Sequence, residues 1–304
     1  MSASTHLHGL AYTLGAKETV DTLEPLREDE QLLRQVHDVG LRYYHRSDST
    51  PIDLAAEVIT QTIAQSPITA DEVDVLIFAS ASVAGGAFDA ARVMSMLDNT
   101  GLTRATPIGI SLSDCGNFGS AMRAAHSLIM GSGARNVLVV TSDVCRDPRS
   151  RILTDTLSIL SDGAASCLLS AEHPSRLELL ATAGRTNQKV RTADLSDMSL
   201  LIRRGLVKVV SDLLRRSDAE LADVGKLMAN NVNAEAVRFM TVALGLGPDR
   251  AYLENVADFG HVHSADILIN LLTYLEEGAA PDELIVTISH SYGTWGAATF
   301  RVAE

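Results

Sequence analysis

Two pairs of apolar segments decide the fold that this sequence predicts. The first pair is NVLVVTS (residues 136–142) and GAASCLL (residues 163–169), and the second is ELIVTIS (residues 283–289) and GAATFRV (residues 296–302). In each pair, a continuous apolar run typical of a buried strand is followed by a Gly-Ala-Ala turn and then by a second apolar strand.

This repetition predicts two similar halves. Polar residues and Pro174 interrupt the apolar pattern at residues 172–175, which is where a boundary is expected. We therefore predict an N-terminal half at residues 1–173 and a C-terminal half at residues 174–304.

Helical segments alternate with the strands. Thr50 and Pro51 form a good helix start, because threonine caps a helix and proline suits its first turn, and the apolar residues that follow recur at helical spacing. A second apolar stripe runs from Ala265 to Leu275, and a further strand is expected at residues 73–79. Apolar strands interleaved with helices predict a sheet that is covered on both faces, and hence an α/β protein.

The composition restricts the possible classes of protein. The chain has 304 residues, of which 46% are hydrophobic and 21% charged, so a large core is expected. A formal net charge of -13 disfavours nucleic acid and anionic membrane as partners. No apolar run is long enough to cross a bilayer, no secretory signal pattern is present, and the three cysteines lack disulfide or zinc spacing. We expect a cytoplasmic enzyme without a metal or an organic cofactor.

Cys115 is the candidate nucleophile. It follows a predicted strand at residues 106–112 and precedes apolar residues at helical spacing, so it lies at or near a helix N-terminus. The helix dipole and the free N–H groups of such an end favour a thiolate and can hold an oxyanion. A buried structural cysteine remains the alternative, because free cysteine is among the most buried residue types. Cys145, in a polar loop, and Cys167, in an apolar run, lack this setting.

Histidines and asparagines near two further helix starts could assist a thiol. His261 and His263 lie in GHVHS (residues 260–264), just before a predicted helix, where an imidazole can take a thiol proton. Their spacing predicts that at most one of them points inward. The segment NNVN (residues 230–233) precedes another helix. One asparagine there would be a cap, and a second amide could orient a water molecule or donate to an oxyanion.

Taken together, these residues resemble the ketoacyl-acyl carrier protein synthase III family of the thiolase superfamily. The resemblance rests on Asp114-Cys115 with its helix, on SDGAA (residues 161–165), on TWGAA (residues 294–298) and on the helix and strand within residues 54–80, which occur in the family's order. It implies a thiolase fold of two α/β halves in five layers, αβαβα, with the nucleophile in the first half. It also implies a homodimer and an acyl group that moves from coenzyme A or an acyl carrier protein to Cys115.

The sequence departs from the family pattern in three ways. Asn230 stands where the family has the histidine of a His-Gln-Ala-Asn motif, and His261 stands where it has the asparagine of a Gly-Asn motif. This exchange resembles thiolases. The family's glycine-rich loop is the bulkier HSYG here (residues 290–293), and Ala234 and Glu235 replace a basic residue that often follows the first motif.

The resemblance therefore implies a specific set of site residues. The expected catalytic residues are Cys115, His261 and Asn230. The expected substrate-binding residues are Tyr292, Gly293, His263 and Asn231.

We predict a condensing enzyme of specialised metabolism that forms a carbon–carbon bond through an acyl-Cys115 intermediate. His261 would accept the thiol proton, and Asn230 with His261 would stabilise the enolate of a malonyl-type or acetyl-type acceptor.

Two alternatives stay open. The first is an acyltransferase that makes an ester or amide on a small-molecule acceptor, and the second is a catalytically silent subunit that pairs with an active homologue. If the donor is carried by an acidic carrier protein, the arginines at 203, 204, 215 and 216 are candidates for its docking.

Overall fold

The computed structural model describes residues 4–82, 88–291 and 293–303. The strands in these ranges are β1 (Thr5–Leu14), β2 (Ala16–Thr19), β3 (Tyr43–Arg46), β4 (Val75–Ala79), β5 (Thr106–Ile110), β6 (Asn136–Asp143), β7 (Ile152–Leu153), β8 (Ser158–Ile159), β9 (Gly163–Ser170), β10 (Leu177–Thr186), β11 (Val224–Ala229), β12 (Leu284–Ser291) and β13 (Thr294–Val302). The α-helices are α1 (Glu24–Glu28), α2 (Glu30–Asp38), α3 (Pro51–Ala64), α4 (Ala90–Asn99), α5 (Asn117–Ser132), α6 (Leu195–Arg216), α7 (Ala234–Ala243), α8 (Val256–Phe259) and α9 (Asp266–Glu277).

The strand order repeats between the two halves. The large sheet runs β11-β12-β13-β10-β1-β9-β6-β4-β5, so β4-β6-β9-β1 of the first half corresponds to β11-β12-β13-β10 of the second. The two repeated apolar pairs of the sequence are the antiparallel pairs β6–β9 and β12–β13, at matching places in this order. The strands β1 and β10 join the halves, with Thr5 opposite Leu179. The predicted division between residues 173 and 174 falls between β9 and β10 and stays a prediction.

The layers are arranged around the two central helices. α5 and α9 pack between the strands of the two halves, α3 covers the outer face of the first half, and α6 covers the outer face of the second. This arrangement confirms the predicted α/β class and the five-layer αβαβα architecture. α3 begins as expected, since Thr50 and Asp53 form a capping box and Pro51 occupies its first turn. No helix in the described ranges is long and apolar enough to span a membrane.

The Gly-Ala-Ala segments are part of β9 and β13, so the prediction of turns at these positions was wrong. The small residues serve close packing instead. A Cβ atom added at Gly119 of α5 would lie 2.6 Å from the Cα atom of Gly296 in β13. Helix and strand therefore touch backbone to backbone. This contact fixes α5, whose N-terminus follows Cys115, against the second half.

Replacing Gly119 by alanine is expected to destabilise the protein by about 1–3 kcal/mol, the usual result of adding an atom to a closely packed core. Gly131 provides a matched control on the same helix, because a Cβ there has no heavy atom within 4 Å. Alanine at Gly131 should leave the stability unchanged or raise it slightly, since alanine is the better helix former. Urea unfolding of both variants measures the difference. Equal midpoints for the two would contradict the close contact.

Candidate active site

The backbone around Cys115 is held in an uncommon conformation. Cys115 lies in a short 3-10 turn, Asp114–Gly116, directly before α5, and its side chain is 8% exposed. Asp114 has a φ of 50°, in the left-handed region that non-glycine residues rarely adopt. Residues of the second half support this turn: the Ser291 hydroxyl donates to the Asp114 carboxylate at 2.9 Å, and the Ser264 hydroxyl donates to its carbonyl at 3.2 Å. The nucleophile of one half is thus positioned by the other.

Cys115 opens onto a cleft of about 280 Å³. Three imidazoles among the described residues line this cleft, those of His261, His263 and His290. Apolar walls come from residues such as Leu160 and Val232. A thiol, several imidazoles and a mostly apolar enclosure are suited to acyl transfer, because low polarity strengthens every charge interaction inside the cleft.

His261 is held as a charged donor. Its Nδ1 atom lies 2.5 Å from Oδ2 of Asp266, the first residue of α9, and its main chain pairs with Ile159 and Ser161. Burial alone would lower the pKa of His261, but the Asp266 carboxylate and the Cys115 sulfur raise it well above its ordinary value. His261 is therefore an imidazolium at neutral pH, with a fixed ring orientation.

His263 is close to the nucleophile. Its Nδ1 atom lies 4.0 Å from the Cys115 sulfur, and its ring stacks on that of His261 with the centroids 5.8 Å apart. Burial lowers the pKa of His263, whereas Asp143 and Cys115 raise it, and the net change is upward. The expectation that at most one histidine of the pair faces the cleft was wrong. The His263 backbone has a φ of 51°, so the chain is not extended there and the side chains do not alternate.

These neighbours set the state of the thiol. Burial raises the pKa of Cys115, but the charges and hydrogen bonds of His261 and His263 outweigh burial, and the pKa is lowered. The other cysteines differ, because burial raises the pKa of Cys145 and of Cys167. Thiolate character is therefore a property of Cys115, and the thiolate is the reactive form.

His290 is a cleft residue that the sequence reasoning did not select. Burial, together with the nearby positive charge of His261, lowers its pKa to about 4. Its Nε2 atom is buried and has no hydrogen-bond partner among the described residues. His290 is a neutral imidazole at physiological pH and can accept a proton.

The amide of Asn230 is bonded to main-chain groups, and its expected catalytic role stays a prediction. Its amide nitrogen donates to the main-chain carbonyls of Cys115 and His263, both at 3.2 Å, and its amide oxygen accepts from the N–H of His290 at 2.9 Å. Both amide hydrogens are thus used, and none is left for an enolate oxygen. In this structure Asn230 positions the three segments that carry Cys115, His263 and His290.

Asn231 and Gly293 are not among the residues that line the cleft, and their expected contacts with substrate stay a prediction. The Asn231 side chain exchanges hydrogen bonds with Asn270 at 2.9 and 3.3 Å, and its main-chain N–H donates to Asp266 at 2.7 Å. Gly293 accepts a hydrogen bond from the N–H of Asn187 on its carbonyl and packs against that segment. Tyr292 is outside the described residues.

Two carboxylates at the site escaped the sequence reasoning. Asp266 begins α9 and Asp143 ends β6. A usable signal existed for Asp143, because side chains at the carboxyl ends of buried strands often meet at a ligand site. Asp266 follows His261 by five residues at a helix start, where a carboxylate is also expected as a favourable helix charge. From the sequence, Asp266 could therefore be either a partner of His261 or a residue that only stabilises the helix start.

Comparisons with known proteins show which family and which fold this chain matches. The family model described as 3-oxoacyl-[acyl-carrier-protein] synthase III matches residues 112–188, and the model of its C-terminal part matches residues 214–302. The beta-ketoacyl-[acyl-carrier-protein] synthase III of Streptococcus pneumoniae (strain Hungary19A-6) is 27% identical, over 84% of this chain and 86% of its own.

Two solved structures have the same overall fold. ChlB3, described as an acyltransferase, has a TM-score of 0.85 at 16% identity and covers 99% of this chain and 98% of its own. The 3-oxoacyl-(acyl carrier protein) synthase III of Pseudomonas aeruginosa PAO1 has a TM-score of 0.82 at 21% identity and covers 99% of both chains. The fold is therefore the thiolase fold that the resemblance implied.

Proposed function

This chain belongs to the ketoacyl-acyl carrier protein synthase III-like family of the thiolase superfamily, and we propose that it condenses an acyl thioester with a malonyl-type or acetyl-type acceptor through acyl-Cys115. One observation carries the proposal. The Cys115 thiol, at the start of a buried helix, faces two imidazoles that lower its pKa, and one of them is held charged by Asp266. This is the arrangement that an acyl-accepting thiolate requires.

The first half-reaction loads the acyl group. The Cys115 thiolate attacks the thioester carbonyl, a bond forms between its sulfur and the carbonyl carbon, and the carbon–sulfur bond of the donor breaks. The donor sulfur takes up the proton that the Cys115 thiol gave up and leaves as a thiol. The His261 imidazolium is a preorganised donor for negative charge that develops on the carbonyl oxygen, and such donors are worth several kcal/mol in a dry site.

The second half-reaction builds the product. A malonyl-type thioester loses carbon dioxide and becomes an enolate, whose oxygen we place against the charged His261. The enolate carbon attacks the acyl carbonyl, the new carbon–carbon bond forms, and the bond to the Cys115 sulfur breaks to restore the thiolate. We assign Asn230 to positioning, because its amide is occupied by main-chain groups.

We expect the donor to be a thioester of coenzyme A or of an acyl carrier protein. The arginines proposed for carrier docking lie at exposed positions of α6, at residues 203, 204, 215 and 216. We further propose a homodimer, as expected for the family, and a role in specialised metabolism. A free thiol nucleophile also fits a reducing compartment such as the cytoplasm.

A second candidate function is supported by His290. A neutral imidazole in the cleft can accept a hydrogen bond from an alcohol or amine and orient it, and such an acceptor would give an ester or amide. Decarboxylative condensation needs no such contact. An acyltransferase and a condensing enzyme would therefore share the formation of acyl-Cys115 and differ only in the acceptor.

The test is incubation of the purified protein with a panel of acyl-coenzyme A donors, followed by malonyl and acetyl thioesters. Intact-protein mass spectrometry should detect acyl-enzyme, and carbon dioxide release or α-proton exchange should follow if the protein condenses. Acyl-enzyme without either signal, but with transfer to alcohols or amines, would establish the acyltransferase. Absence of acyl-enzyme with coenzyme A and carrier-protein donors would support the silent-subunit alternative.

A further inference from the structure

A second imidazole–carboxylate pair lies beside Cys115, and the reaction described above does not yet use it. His263 places Nδ1 4.0 Å from the Cys115 sulfur, and its other ring nitrogen, Nε2, is buried without a hydrogen-bond partner among the described residues. Asp143 ends β6, which packs against the turn His263–Ala265, and its Oδ2 atom is likewise buried and without such a partner in those residues. Burying a polar atom without a hydrogen bond costs free energy. A common explanation is therefore needed for the unpaired carboxylate oxygen of Asp143 and the unpaired ring nitrogen of His263.

The surroundings of Asp143 orient its charge. Among the described residues, the hydrogen bonds of its side chain converge on one oxygen, Oδ1, which accepts from the hydroxyls of Ser80 and Ser82 and from the N–H groups of Ala81 and Ser82 at 2.7–3.0 Å. These bonds fix the carboxylate at the end of β6. They leave the other oxygen for a positive group. Burial raises the pKa of Asp143, and the charge of His263 is the largest influence that opposes burial.

The two pairs at the site differ in how firmly they hold a proton. His261 is bonded directly to Asp266 at 2.5 Å, so its charge is retained. His263 has no direct bond to Asp143 and interacts with it through their charges alone. A proton on His263 is therefore easier to release than the proton on His261, and the His263 ring faces the sulfur.

We propose that Cys115, His263 and Asp143 form a proton-transfer line in which His263 keeps the thiol proton and delivers it to the departing thiolate of the donor. This inference rests on the proposed function. As the donor's carbon–sulfur bond breaks, the Nδ1 proton of His263 passes to the donor sulfur, and His263 is left neutral. His261 remains protonated against Asp266 and keeps its place at the developing oxyanion. The neutral His263 can then take a proton from an incoming acceptor.

Among the described residues, the titratable groups that interact with His263 are Cys115 from the turn before α5, Asp143 from β6 and His261 from its own segment, with Asp266 of α9 behind His261. Asp114, Asp155 and His290 line the same cleft. Removing the His263 charge should raise the pKa of the thiol. Removing the Asp143 charge should do the same only if Asp143 acts through His263. A direct charge effect of Asp143 on the sulfur would have the opposite sign, since a nearby anion disfavours the thiolate.

The test is a double-mutant cycle on the substrate-free protein, with variants H263N, D143N and the pair. Asparagine suits residue 263 because it tolerates the left-handed backbone, and at residue 143 it retains the accepting Oδ1. The pH dependence of Cys115 alkylation by iodoacetamide, followed by mass spectrometry, gives the thiol midpoint. We expect each single change to raise the midpoint by about one pH unit. D143N should add little once His263 is replaced.

A matched control is D74N. Asp74 also accepts main-chain N–H bonds at a strand end, from Arg135 and Asn136, but does so away from the cleft, and its replacement should leave the midpoint unchanged. An unchanged or lowered midpoint in D143N, or full additivity in the pair, would overturn the proposal. If D143N does not fold, an H263N midpoint equal to that of the wild type overturns it. The alkylation assay uses no thioester substrate, so its outcome can be told apart from a failure of the condensation assay that tests the proposed function.

Discussion

Replacing Cys115 by alanine is expected to remove acyl-enzyme formation completely and to reduce product formation by roughly 10⁴- to 10⁶-fold, the scale of losing a covalent nucleophile. The reason is that Cys115 alone among the three cysteines has a lowered pKa and lines the cleft. Burial raises the pKa of Cys145 and of Cys167, and neither lines the cleft with His261. Intact-protein mass spectrometry after incubation with acyl-coenzyme A donors measures the adduct directly.

Cys145→Ala is the matched control for this experiment. Cys145 lies on the loop after β6, and its thiol donates to the carbonyl of Asp147. Its replacement removes a thiol without touching the cleft and should leave the adduct intact. An adduct that persists in Cys115→Ala and disappears in Cys145→Ala would contradict the assignment of the nucleophile.

Replacing His261 by alanine is expected to reduce acyl transfer by about 10²–10³-fold, which is the usual cost of removing one preorganised oxyanion donor. The variant loses the charge that stabilises the Cys115 thiolate and the donor that faces the oxyanion. It also leaves Asp266 buried without its partner, so a loss of stability of about 3–5 kcal/mol is expected with it. Single-turnover acylation and thermal unfolding should therefore be measured on the same samples.

His37→Ala provides a control for loss of an imidazole as such. His37 lies on α2, where its Nε2 atom is 3.6 Å from a carboxylate oxygen of Asp21 near the surface, and contacts of this kind contribute little to stability. The key comparison is with His263→Ala. If acyl transfer falls strongly in His263→Ala and only slightly in His261→Ala, the main catalytic role belongs to His263. That result would favour His263 as the group that holds the thiolate.

The site combines local features with contacts between distant segments. The helix start after Cys115 is local, whereas its charge partners come from residues 261–266 and from the end of β6. Asn230 connects these segments by three hydrogen bonds to main-chain groups.

Four features could be predicted from the amino-acid sequence: the α/β class, the repeated strand pairs, the capped start of α3 and the strand–turn–helix setting of Cys115. They are predictable because periodicity, capping and turn chemistry act over a few neighbouring residues. Only the tertiary structure decided which imidazoles reach the thiol, that Asn230 and Asn231 are bonded within the protein, and that Asp143, Asp266 and His290 belong to the site. The physical reason is that a charge acts through space and a hydrogen bond depends on geometry. Residues 115, 143 and 263 become neighbours only when the two halves close around α5 and α9.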